Sequence, residues 1–193
     1  MLLGFNNPIN KSLILYQLIP IGLITLITAG AFVLFKSFLI DHNIERLQLG
    51  IMSLLFTLTF IGQLPIISEG IYWYSGAMGY VFPIILTLLY FSLIYKYLNG
   101  VRFLNRYIHL FGIIALQFFI MGFNEVHMLL MLLFQFVLAI IELTRKEKGI
   151  GVFLLFSGIL FSSIMIFSPG NVGRSSHFYN NHDLINSVLS SLL

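Results

Sequence analysis

Apolar residues run along this chain in long unbroken blocks, and polar positions are confined to the gaps between them. Six stretches, about 12–35, 48–65, 79–97, 107–123, 125–144 and 150–168, approach the roughly 20 apolar residues a helix needs to cross about 30 Å of hydrocarbon. The fourth and fifth blocks meet through "GFNE" alone, Gly122 to Glu125. Two helices are required there, because Arg106 and Arg145 stand 39 positions apart, about 58 Å of continuous helix at 1.5 Å per residue. The gap predicts a tight helical hairpin. The expected fold is an all-α integral membrane protein, a polytopic bundle of about six transmembrane helices forming one transmembrane domain. An external tail, 169–193, follows, and its end "DLINSVLSSLL" is an amphipathic stripe.

Composition agrees with that pattern. Of 193 residues 59% are hydrophobic and only 9% charged, whereas soluble domains run near a quarter charged to cover a water-facing surface. Lipid is therefore the main solvent, and a multi-pass place in the cell membrane is expected. A net charge of +3 is too small to argue for a nucleic-acid partner. With no cysteine, disulfides and thiolate metal sites are excluded. The histidines and aspartate of "HFYNNHD" (His177, His182, Asp183) do not follow a metal-ligand spacing, so no metal and no cofactor is expected. The start, "MLLGFNNPINK", lacks a basic leader and the apolar run behind it is too long for a cleaved signal, so it reads as retained.

The basic residues orient the bundle. With six crossings, one set of loops carries Lys36, Arg46, Lys96, Arg102, Arg106, Arg145, Lys146 and Lys148, eight in all, and the other set only Lys11 and Arg174. Eight against two predicts that both termini are extracytoplasmic. Glu142 and Lys146, one helical turn apart, read as a surface ion pair on the cytoplasmic side. The apolar blocks' glutamines, Gln17, Gln117 and Gln135, read as hydrogen-bonding between helices.

Candidate chemistry then falls on the outer face. "EGIYWYSGAMGY" (Glu69 to Tyr80) lies between the second and third crossings, and "GFNEVH" (Gly122 to His127) and "SPGNVGR" (Ser168 to Arg174) reach the same side. Tyr72, Trp73, Tyr74 and Tyr80 fit either an interfacial aromatic belt or the wall of a site. Glu69 reads equally as a solvated loop acid. Glu125 is a stronger candidate, since a carboxylate at the turn of so short a hairpin sits near the headgroup boundary, where charge is costly unless paired. His127 fits an interfacial histidine better than a ligand. Arg174, behind the Pro169–Gly170 helix stop, offers a planar fork of donors suited to a phosphate or to lipid headgroups.

The acid followed by "YWYSGAMGYVFP", then "GFNE", then "SPGNVGR" resembles a group of bacterial multi-pass membrane proteins with the pattern E…YWxxGAxxY, GxNE and PGNxxR. That group is similar to serotype-type glucosyltransferases and to membrane glycosyltransferases of the C-class fold. The resemblance covers about residues 60 to 175. It implies a polyprenyl-phosphate-linked sugar handled at the outer face. By that resemblance Glu69 and Glu125 are the catalytic candidates, and Tyr72, Trp73, Tyr80, Asn124, Asn171 and Arg174 bind substrate; His127, two positions beyond Glu125, is a further substrate-binding candidate. C-class enzymes carry an acid in the first external loop, whereas residues 1–11 hold no Asp or Glu. The expectation is therefore a partial copy, with a membrane-protein partner supplying the missing helices and loop. The alternative is a non-enzymatic membrane protein: a transporter, a lipid carrier or an assembly subunit. Either way, membrane lipid is a partner. Glu69, Glu125 and Arg174 are expected to converge on one outer cavity.

Overall fold

The computed structural model describes residues 13–39, 44–100, 105–145 and 149–168, and among them every regular element is helical. Six long helices follow one another: α1 (Leu13–Phe38), α2 (Arg46–Gly62), α3 (Phe82–Leu98), α4 (Arg106–Phe123), α5 (Glu125–Arg145) and α6 (Ile150–Ile166). Four segments are long and apolar enough to cross a membrane, namely Tyr16–Phe38, Tyr74–Leu98, α4 and α5. The other two helices, α2 and α6, are apolar but shorter, with 17 residues each, about 26 Å of helix.

The main departure from the sequence pattern precedes α3. The stretch expected to be a loop is helical, with π turns at Ser68–Tyr72 and Ala77–Val81 separated by one α turn, Tyr74–Gly76. Pro83 supplies part of the reason. A regular helix would bring the N–H of position 83 to the Gly79 carbonyl, and proline has none to give. The Asn124 amide fills that role from the neighbouring hairpin, its Nδ2 donating to Gly79 O at 3.0 Å. Wider i→i+5 turns carry the chain to the same point, after which Phe82 and Pro83 open a regular α3.

Paired contacts fix the helix directions. Tyr16 Oη donates to the Tyr72 carbonyl (2.5 Å), the Ser37 and Ser92 hydroxyls meet at 2.6 Å, and the Phe38 and Tyr95 rings lie 4.7 Å apart. So α1 and α3 run parallel and close together. Next to α3 stands α4, antiparallel, with Phe82 against Phe123 at one end and Tyr97 against His109 at the other. On the flank α2 lies against α1, held by a Thr28–Thr57 hydroxyl pair at 3.0 Å. The most continuous core joins α3, α4, α5 and α6 through Tyr90, Ile94, Ile113, Ile120, Met131 and Leu154.

Amides and glycines hold that core. Gln117 Nε2 donates to Leu154 O (3.0 Å) and to Ser157 Oγ (3.2 Å), and Gln135 Nε2 donates to Tyr90 Oη (3.2 Å). Both glutamines therefore bond between helices as the sequence predicts, while Gln17 lies exposed. Gly158 lets α6 approach them, because a Cβ there would strike Gln135 Oε1 and come within 3.1 Å of Gln117 Nε2. Small residues at such crossings let backbones come together.

The expected surface pair of Glu142 with Lys146 is corrected. Lys146 lies outside the described residues, and Glu142 is buried at the α5–α6 contact, with its Oε2 accepting from the Gly151 N–H at 2.6 Å. The physical reason is the start of α6. Its N-cap is Gly149, which has no side chain to satisfy the first free N–H groups. A carboxylate from α5 does so instead, in the place where the helix dipole favours negative charge. Gly151 permits the approach, since a Cβ there would sit 2.9 Å from the Ala139 nitrogen.

Charge separates along the bundle axis. Among the described residues Lys36, Arg46, Lys96, Arg106 and Arg145 all stand at one end, beside the exposed acid Glu45. Glu69 and Glu125 stand at the other end, where the described residues include no lysine or arginine.

Candidate groove at the acidic end

The acidic end of the bundle is cut by an open groove of about 840 Å³. One wall comes from the π-turn segment (Trp73, Ser75, Gly76, Gly79, Tyr80) and the other from the α4–α5 hairpin and the last turn of α6. Four sequence-predicted residues line it together: Trp73, Tyr80, Asn124 and Glu125.

Local backbone chemistry explains each placement. Trp73 is the extended hinge between the first π turn and the short α turn (φ −78°, ψ 110°). Its exposed ring is set by Gly76, where a Cβ would lie 2.9 Å from Trp73 Cε3 and 2.5 Å from the Glu69 carbonyl oxygen. Asn124 is the single non-helical residue between α4 and α5 (φ −157°, ψ 160°). Its Oδ1 accepts the His127 N–H at 3.0 Å, an N-cap for α5, while its Nδ2 holds Gly79. One amide thus turns the hairpin and fastens it to the opposite wall. Glu125 follows as the first residue of α5, where the dipole stabilises an acid. That provides a structural reason for the carboxylate beside any chemical one.

The remaining candidates divide. Glu69 is exposed in the first π turn, whose buried side chain is Ile71, and it is not among the groove's lining residues. Of the three residues expected to converge on one outer cavity, Glu125 lines the groove, Glu69 is not among its described lining residues, and Arg174 lies outside the described residues. Tyr72 is exposed, and its backbone carbonyl rather than its ring is engaged, by Tyr16. His127 is half-buried and not among the lining residues; its Nδ1 has no hydrogen-bond partner among the described residues. Asn171 and Arg174, like Pro169, Gly170, His177, His182, Asp183 and the whole tail 169–193, lie outside the described residues. No group of three or more metal-ligating side chains occurs among the described residues.

Sequence reasoning missed the groove's apolar floor. Met121, Met128 and Met165 line it with Phe123, Leu129 and Ile166. Flexible thioethers adapt to irregular apolar ligands. The available signal was the pair Met121 and Met128, seven positions apart on either side of "GFNE". The result is a mostly apolar cleft with a few polar groups, the usual character of a ligand site. Its carboxylate can accept a hydroxyl's hydrogen bond or proton, and its indole and phenol present flat faces for a ring. No protein-family model, curated protein or solved structure matches the chain.

Proposed function

We propose that the chain is a six-crossing membrane protein with both termini outside, and that its groove receives the sugar of a polyprenyl-phosphate-linked donor at the extracytoplasmic face. The observation that carries this reading is the meeting of Trp73, Tyr80 and Glu125 over a methionine-rich floor in one groove. The clustering of five described cations at the opposite end supports that orientation, because the cytoplasmic side of membrane proteins is the basic one. In this reading Trp73 and Tyr80 stack on the sugar ring, Glu125 takes the proton of an acceptor hydroxyl, and the apolar floor takes the first isoprene units. Arg174 and Asn171 hold the phosphate. The resemblance of the three motifs to membrane glycosyltransferases points the same way.

A second reading, binding without transfer, is favoured by one observation: among the described residues that line the groove, Glu125 is the only charged one. A lipid carrier or assembly subunit needs no second charged group, whereas transfer needs a base and a cation at the leaving phosphate.

One experiment separates the two. Trp73 is the chain's single tryptophan and lines the groove, so its fluorescence reports occupancy by a short polyprenyl-phosphate-linked hexose. Binding should change the emission, and Tyr80→Ala should weaken it up to about tenfold, the worth of one aromatic contact. Glu125→Gln should leave binding within a few-fold while lowering sugar transfer by about 10²–10⁴, the range for a lost general base. Binding without any transfer by the wild type would select the carrier reading. A silent Trp73 together with no retention of the ligand by the purified protein would end both.

A further inference from the structure

We propose that Gly79 and Gly122 determine which lipid the groove admits, because bare backbone at these two positions makes room for a methyl-branched chain just below the sugar-phosphate head. The inference rests on the groove being the lipid-linked sugar site proposed above, and it adds the residues that gauge its width. Glycine inside a helix costs stability relative to alanine. At Gly76, Gly151 and Gly158 contact within the protein explains it, since a Cβ at each would lie under 3.0 Å from another atom. Gly79 and Gly122 have no such neighbour. A Cβ on Gly79 would meet nothing within 4 Å, and one on Gly122 would meet only Met165 Sδ at 3.8 Å, an ordinary contact. Nor does the backbone require glycine there. Both lie in helical turns, and among the described glycines only Gly100 has a positive φ.

Their place in the groove supplies the reason. Gly79 belongs to the π-turn wall and Gly122 to the last turn of α4 on the wall opposite, and Met165 beside Gly122 also lines the groove. Asn124, two residues beyond Gly122, ties the walls together through its Nδ2 bond to Gly79 O at 3.0 Å. The walls are therefore held at that spacing, and a side chain added at either glycine takes its volume from the ligand. The lining also has an order in depth. Trp73 and Tyr80 are exposed, whereas Met121 and Met128 are buried. Between the aromatic mouth and the methionine floor, the two glycines face the stretch where a lipid-linked sugar passes from head to chain. A polyprenyl chain carries its first methyl branch there, and a Cβ-sized opening on each wall accommodates it.

The test measures retention of a short polyprenyl-phosphate-linked hexose by the purified full chain, with each variant's melting temperature read in the same detergent. Gly79→Leu and Gly122→Leu should each weaken binding about tenfold or more, the worth of an overpacked contact. Gly22→Leu, at an exposed site on α1 that is not among the groove's lining residues, should leave binding unchanged. The double variant G79A/G122A adds only two methyl groups and two better helix formers. Its melting temperature should equal or exceed that of the wild type while binding falls a few-fold. Against the same hexose phosphate on an unbranched alkyl chain, that variant should lose less. Wild-type binding that survives both leucines, or an equal loss for the unbranched ligand, would overturn the gauge and leave the site standing. No retention by the wild type would overturn both. Weaker binding that tracks a lower melting temperature would assign the glycines to the fold and overturn the proposal.

Discussion

The two halves of the bundle join their helices with different polar chemistry. On the α1–α2–α3 side the inter-helix bonds come from hydroxyls: the pairs Thr28 with Thr57 and Ser37 with Ser92, and Tyr16 and Tyr95 donating to carbonyls. Thr28, Thr57 and Ser37 each also have a carbonyl four residues back in their own helix, Ile24, Ser53 and Val33 respectively, to which the one hydroxyl proton can go instead of across to the partner. Such a group is satisfied before its partner arrives and stays satisfied if the partner leaves. On the α4–α5–α6 side the joints are carboxamides and a carboxylate, Gln117, Gln135 and Glu142, all buried. They depend on another helix for every bond found here, and two oxygens, Gln135 Oε1 and Glu142 Oε1, are left with none among the described residues. Hydrocarbon offers no water to replace a lost partner. The amide side should therefore be brittle and the hydroxyl side forgiving.

The largest effect is expected at Gly158. A Cβ there would strike the Gln135 amide oxygen and crowd Met121 Cε at 3.1 Å. Gly158→Val should destabilise the protein by about 3 kcal/mol, the upper range for overpacking a tight interior. Gly22, with nothing near its missing Cβ, is the matched site on α1, and Gly22→Ala should cost nothing measurable. Steric trapping in bicelles gives both values, and equal effects at the two glycines would erase the contrast between the halves.

Glu142 comes next. Glu142→Leu leaves the Gly151 N–H buried without an acceptor, which costs about 1–3 kcal/mol. Glu142→Gln keeps an acceptor oxygen and should cost about half as much, since only the charge assistance is lost. Amide hydrogen exchange at Gly151 and Val152 should rise in the leucine variant and little elsewhere. Protection that stays unchanged would mean that the carboxylate does not cap α6.

These residues mark the boundary of what the sequence discloses. Helix positions were legible because hydrocarbon demands long apolar runs, and those runs dominate the chain. The glutamine bonds were legible too, since an amide in such a run has no other outlet. Glu142 was misread because a carboxylate near a lysine-rich loop looks solvated, and nothing local reveals that the next helix begins with an uncapped glycine. The groove was half legible. Trp73, Tyr80, Asn124 and Glu125 stood out as rare polar or aromatic residues, but their meeting depends on Asn124 supplying the donor that Pro83 lacks, a contact 45 residues apart in sequence. Glu69 resembled Glu125 in the sequence, but it stands exposed in the first π turn, whereas Glu125 opens α5 at the hairpin.

The smallest effect is expected at Thr57, and it is the sharpest test of the contrast. Thr57→Val removes the one hydroxyl that reaches both Ser53 O (2.9 Å) and the Thr28 hydroxyl (3.0 Å). Thr28 keeps its own bond to Ile24 O at 2.9 Å, so no donor is stranded. The Ser53 carbonyl loses only a side-chain donor. Valine fills nearly the same volume and suits a lipid-enclosed helix. Inter-helix hydrogen bonds within membranes average about 0.6 kcal/mol, so the expected loss is that or less, measured by the same steric trapping. Gln117→Leu, which leaves Ser157 without the glutamine amide it meets, should lose more. A Thr57→Val penalty as large as that of Gln117→Leu would show that the Thr28–Thr57 joint, and not the amide core, fixes how α2 is held.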